Sequence, residues 1–347
     1  MPIITFAIIA FTYYIGLETA RQTDKWGYDL WSREAFGSKS KFLTPAMDFS
    51  IIITTIAATA ATIATGGLLG NQYLGLPIAV GSIAMFVIVT LLSIFGENIV
   101  RKNAMIMTSA ILIIITIVLV AGLIKFAPDI ARLFKAGYVN PQSARWSISG
   151  KGAPVPGNVG NSLLWALTYA GFQISAIGGI AASFKGGKFK EEAKGAMTIG
   201  AVILMLIGIC LLIFSQMPHI FTDQATRKLP TVFIVNQLNI PVLAVLYPIL
   251  LFLALITTAV GFIFGMVQRL DPYVLKNMES KPVLRKAIIS ICCLLVCYGV
   301  SNFGLMWVIQ VAYKYLGIFN WIFIILPLWF LGYKNIKKRD KGEKLEV

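Results

Sequence analysis

Long apolar runs, each closed by a short cluster of polar or charged residues, repeat along the chain. The stretch Ile78–Phe95, for instance, holds no Asp, Glu, Lys or Arg in eighteen positions. Such runs are too long for buried strands and show no period-2 alternation, so they predict helices that cross a membrane. The pattern predicts nine spans: Ile3–Leu17, Phe49–Leu69, Leu76–Phe95, Ala104–Ile124, Leu163–Phe184, Met197–Met217, Pro241–Gln268, Ala287–Val300 and Ile318–Leu331. A spanning helix needs roughly 17–25 residues, so the first, eighth and ninth must extend past these limits. A short apolar piece, Asn302–Tyr315, precedes the last span as a half-helix or as part of a bent one.

Several segments between the spans have a character of their own. Lys25–Phe36 mixes aromatic and charged residues and reads as a helix lying along the membrane interface. The region 125–160 ends in turn-forming NPQ, SGKG and PVPG sequences. Phe221–Leu238 contains LPTVFIVNQL, apolar but too short to span, and reads as a lid or re-entrant piece. The organisation expected is one transmembrane domain over residues 1–333, followed by a basic, mobile tail, 334–347.

Composition supports this frame. The chain has 347 residues, 57% apolar and 13% charged, with a net charge of +15 and a mean hydropathy of +0.79. The basic residues sit in short segments between spans, where they set topology and meet anionic lipid, so nucleic acid is not an expected partner. Of the 30 Lys and Arg, 22 fall in 18–48, 96–103, 185–195, 269–286 and the C-terminal tail, on one side of the nine-span arrangement. The other eight fall in 125–160, 218–240 and at Lys314, on the opposite side. The positive-inside rule therefore predicts a multi-pass protein of the cell membrane with a cytoplasmic C-terminus. Nine spans then put Met1 outside, and a further helix before it would bring both ends inside. Met1 runs almost directly into the first span, so no cleavable signal peptide is expected. Cys210, Cys292, Cys293 and Cys297 all lie in apolar spans without metal-ligand spacing and read as small packing residues.

No phosphate-binding glycine loop, metal-ligand cluster or nucleophile motif stands in the sequence, and no enzymatic role is expected. Ionisable residues avoid the span interiors: Glu18, Asp48, Glu97 and Arg269 lie at span ends, and His219, the single histidine, lies just past the sixth span. Buried carboxylates for proton relay are thus missing from the pattern. A coupling ion would be held by carbonyls and hydroxyls, which suits a hard cation such as Na⁺. Two stretches offer such groups. In Trp165–Phe184, Gly171, Gly178 and Gly179 with Gln173 and Ser175 break the apolar run, and Tyr169, Gly171, Phe172, Gln173 and Ser175 are the candidate substrate-binding residues. The competing reading is close helix packing at small residues. In Ala254–Gly261, Thr257 and Thr258 offer paired hydroxyls, against the alternative that each bonds back to its own helix. The small-residue run Ala58–Gly67 reads as close packing.

Four segments carry a resemblance. LGLP…G…FGENIVRKNA (Leu74–Ala104), LWALTYAGFQISAIGG, TTAVGFIFGMVQRL (Thr257–Leu270) and YKYLGIFNW (Tyr313–Trp321) resemble the bacterial YkvI-like membrane proteins. Those are relatives of the amino-acid/polyamine/organocation transporters, and the resemblance runs over nearly the whole chain. It implies an all-α, LeuT-like bundle of two inverted five-helix repeats, with substrate bound where the first and sixth helices unwind. On that alignment Ile3–Leu17 resembles the second helix of ten, Trp165–Phe184 the sixth, and Phe221–Leu238 the outer lid. Ala254, Thr257 and Thr258 match eighth-helix positions that hold Na⁺ in sodium-coupled members. The counterpart of the first helix is missing, which agrees with the side assigned to Met1. The function implied is secondary transport of a small, amino-acid-like solute, with Na⁺ as candidate coupling ion and no other cofactor. The alternatives are a ligand-sensing membrane subunit without net flux, similar to the germinant receptors, and an inactive truncated product.

Overall fold

The computed structural model describes residues 2–95, 97–136, 159–177, 190–215, 217, 229–271, 274–275 and 280–343. Among these residues the chain is helical, without strands. The helices are α1 (Pro2–Thr23), α2 (Tyr28–Phe36), α3 (Ser40–Leu74), α4 (Ile78–Phe95), α5 (Glu97–Lys135), α6 (Val159–Gln173), α7 (Lys190–Ser215), α8 (Pro230–Leu238), α9 (Pro241–Leu270) and α10 (Pro282–Ser301), followed by α11 (Leu305–Asp340). Proline opens α8, α9 and α10, where its fixed φ and missing N–H cost nothing. Gly75 (φ 67°) and Gly304 (φ 86°) supply the left-handed turns before α4 and α11.

Among the described residues, eight helical segments are long and apolar enough to cross a membrane, with α2 and α3 together counted as one. They correspond to eight of the nine expected spans. The remaining one, Leu163–Phe184, is described only as far as Ile177, so Gly178 and Gly179 lie outside the described residues, as do His219 and 221–228 of the expected lid.

Two segments differ from the reading of the sequence, and for Asn302–Tyr315 the second alternative holds: the break is the turn at Asn302–Gly304 and the remainder opens α11 as part of one long helix. Lys314 therefore lies within a helix rather than a loop. The interfacial segment forms α2, whose Trp31, Ala35 and Phe36 are buried against protein rather than left for lipid. The start of the tail is an ordered continuation of α11: Asn335 Nδ2 donates to Ala35 O at 3.0 Å, and Arg339 Nη2 reaches the Glu34 carboxylate at 3.0 Å. Apolar anchors and charge pairing outweigh the local polarity that suggested mobility.

The chain divides into two compact units. The first comprises 1–54, 157–209 and 311–347. Its core is Ile15, Leu17, Trp31, Phe36, Ile174, Ile177, Ile324 and Leu328, all buried. Glu18, fully buried, is paired with Arg21 at 2.6 Å, while Asp340 takes Lys190 at 2.7 Å. The second unit comprises 55–156 and 210–310. In it α3 and α4 approach backbone to backbone, since a Cβ on Gly81 would stand 3.0 Å from Gly67 Cα. Here α8 buries Val232, Ile234 and Val235. Lys125 Nζ donates to Gln237 O at its C-terminal end, where the helix dipole favours a cation. Asp271 and Arg285 form a two-bond pair (2.7 and 2.8 Å) joining α9 to α10.

Candidate functional site

The polar part of the first unit is assembled around the end of α6. Approach there is extreme, because α6 crosses α11 at Gly171 and Gly317. A Cβ on Gly171 would meet the Gly317 carbonyl, and one on Gly317 would meet the Thr168 carbonyl. With no side chain between them, the two backbones touch, as small residues permit in membrane helices.

Past Gln173 the helix tightens into a 3₁₀ turn, Ile174–Ala176. A change of pitch leaves carbonyls without their regular i+4 donor, and in an apolar interior each needs another. Side chains from α1 and α11 provide them. Tyr13 Oη donates to Gln173 O, and Asn320 Nδ2 donates to Gly171 O at 2.9 Å. One turn earlier, Trp321 Nε1 donates to Leu167 O at 2.7 Å and Thr5 Oγ1 to Ala166 O at 3.3 Å.

Ser175, on the 3₁₀ turn, is the centre of a buried node. Its Oγ accepts from Thr54 Oγ1 at 2.9 Å and from Asn320 Nδ2 at 2.7 Å, and lies 3.2 Å from Ser50 Oγ. Ser50 Oγ in turn donates to Asn320 Oδ1. Ser50 and Thr54 are one turn apart on α3 and so share a face. All four residues are at most 4% exposed. None of the four side chains changes charge near neutral pH, so the node's chemistry is hydrogen bonding and oxygen coordination.

The five substrate-binding candidates do not converge on one point. Gly171 and Ser175 join the node. Phe172 stacks on Tyr313, ring centroids 3.6 Å apart and planes 13° from parallel. Tyr169 is exposed and accepts from Gln173 Nε2 at 2.9 Å, forming a separate polar pair. The helical period explains this dispersal, since residues 169 and 173 share a face that 171 and 175 do not.

Of the candidate Na⁺ ligands, Ala254 and Thr257 are together only because Thr257 Oγ1 donates to Ala254 O at 3.0 Å, a bond within one helix. Thr258 is exposed on another face. The three do not form a convergent oxygen set in α9.

Ser50, Thr54, Asn320, Tyr13 and Tyr313 did not stand out in the sequence reading. The i,i+4 hydroxyls of α3 and the lone amide in the apolar run GIFNWIFI were the available signals. No protein-family model matches the chain, and a search of the curated proteins returns no relative.

Proposed function

We propose that this chain is a secondary transporter of a small, amino-acid-like solute, working by alternating access in a LeuT-like arrangement, with recognition at the end of α6. The observation that carries the reading is the change of helix pitch at Ile174–Ala176, in buried surroundings, with carbonyls held by side chains from other helices. Carbonyls held this way can be handed to a ligand by moving Tyr13 or Asn320. Non-helical backbone at membrane depth is tolerated against protein or a wet cavity, and transporters use such places to bind solutes. The resemblance to the amino-acid/polyamine/organocation transporters supplies the solute class and the alternating-access mechanism. The expected orientation has the C-terminal tail in the cytoplasm.

A ligand-sensing subunit without flux is the second reading. It draws on the completeness of the node, in which every member already has a partner, as suits a site that reports occupancy by a small rearrangement. Proteoliposomes loaded with a panel of unlabelled amino acids and offered one labelled amino acid test both. Exchange above empty liposomes supports transport. Thermal stabilisation by an amino acid without exchange supports sensing, and neither effect overturns both readings.

A further inference from the structure

We propose that the Ser50–Thr54–Ser175–Asn320 node is a site for a desolvated monovalent alkali cation, with Na⁺ the expected occupant. The inference deepens the transport reading above and rests on it, since it assigns a coupling ion to this site rather than to α9.

The node brings four side-chain oxygens together: Ser50 Oγ, Thr54 Oγ1, Ser175 Oγ and Asn320 Oδ1. A fifth oxygen, Gly171 O, is bound to the same Asn320 amide. All belong to the first unit. Hard cations take oxygen ligands, and the partners within this set are all uncharged. Burying a single charge from water is already expensive, and a divalent ion multiplies that cost unless carboxylates accompany it. The donor set therefore selects for one positive charge.

The distances fit a site drawn inward by hydrogen bonds. Hard cations of this size hold oxygens at about 2.3–2.6 Å, which puts neighbouring ligands about 3.4 Å apart. Ser175 Oγ stands 2.9 Å from Thr54 Oγ1 and 3.2 Å from Ser50 Oγ. Ion entry widens these two separations by a few tenths of an ångström and parts Ser50 Oγ from Asn320 Oδ1, the closest pair of the set, by more.

The hydroxyl protons have somewhere to go. Three buried hydroxyls elsewhere donate to a carbonyl one turn back: Thr12 to Ile8 O, Thr19 to Ile15 O and Thr65 to Ala61 O, each at 2.8 Å. Ser50 and Thr54 do not, because their donors point across to Asn320 and Ser175. Rotating each back into the default bond frees an oxygen lone pair for the ion, while Asn320 Nδ2 keeps Gly171 O. The site thus switches between two satisfied arrangements without a charged partner.

Purified protein in lipid nanodiscs tests this at constant ionic strength in NaCl, KCl or choline chloride. The expected result is saturable binding of radioactive sodium and a higher unfolding temperature in NaCl than in choline chloride. Ser50→Ala and Thr54→Ala, each with unchanged helical circular dichroism, should weaken sodium binding by about tenfold or more, while Thr257→Ala leaves it unchanged. No alkali-cation effect in the wild type, or the same effect in both α3 variants, overturns the proposal. Amino-acid exchange that persists undiminished in choline chloride also overturns it, and leaves the transport reading standing.

Discussion

Hydroxyls in α9 and hydroxyls around α6 are put to opposite uses. In α9, Thr257 donates to Ala254 O of its own helix, and Thr258 points outward. Around α6, Ser175, Ser50 and Thr54 bond side chain to side chain across helices, with Asn320 completing the set. The residue types are alike and both stretches are apolar, so composition cannot separate them. What separates them is the neighbour. Gly171 and Gly317 let α11 come close enough for an amide to reach the α6 backbone, whereas nothing lies within 4 Å of a Cβ placed on Gly261 or Gly265 of α9. A hydroxyl that faces no side-chain acceptor defaults to its own carbonyl, as the buried Thr12 and Thr19 also do, and a close helix that carries Asn320 creates the alternative.

The sharpest way to break the contrast is to force α6 and α11 apart. Gly317→Ala puts a methyl group into the Thr168 carbonyl, and Gly171→Ala puts one into Gly317. Neither obstacle is a flexible side chain, so each substitution should cost about 3 kcal/mol or more, the upper end of overpacking. Gly261→Ala meets open space and should be neutral, or stabilising by up to about 1 kcal/mol, because alanine is the better helix former. Thermal unfolding of the three variants in one detergent reads the difference.

Asn320→Leu comes next. It removes the donor to Gly171 O and Ser175 Oγ and the acceptor for Ser50, leaving buried polar groups without partners. A loss of about 2 kcal/mol is expected, within the range for an orphaned buried group. A change below about 0.5 kcal/mol would mean that water reaches the node and satisfies it instead.

The smallest effects are expected from the hydroxyls themselves. Ser175→Ala should lower stability by about 1–2 kcal/mol, because Thr54 and Asn320 lose their acceptor. Thr257→Ala removes only a bond within one helix and should stay within about 0.5 kcal/mol. Equal costs for the two would erase the distinction between the regions.

Much of the helical framework was legible because lipid-scale apolar runs are a one-dimensional signal. The expected span that began at Pro241 starts there in the fold, while α10 opens at Pro282, ahead of the expected Ala287. The site was legible only in part. Gly171 and Ser175 were marked by the polar break they make in an apolar run, and they are in the node. Ser50, Thr54 and Asn320 were not, because a node contributed by α3, α6 and α11 depends on contacts 121–270 positions apart, which no local period encodes. Thr257 and Thr258 looked equivalent as a pair, yet adjacent residues on a helix face different ways, and one of them ends exposed. Asn335 and Arg339 were read as tail for a related reason: their partners, Ala35 and Glu34, lie on α2.

The central proposal is that exchange depends on the polar node at the end of α6 and not on the α9 threonines. Exchange of a labelled amino acid by proteoliposomes compares wild type, Ser175→Ala and Thr257→Ala directly, in preparations matched for helical circular dichroism. The account predicts exchange by the wild type, a drop of about tenfold or more with Ser175→Ala, and near wild-type exchange with Thr257→Ala. Loss of exchange with Thr257→Ala while Ser175→Ala retains it would contradict the account.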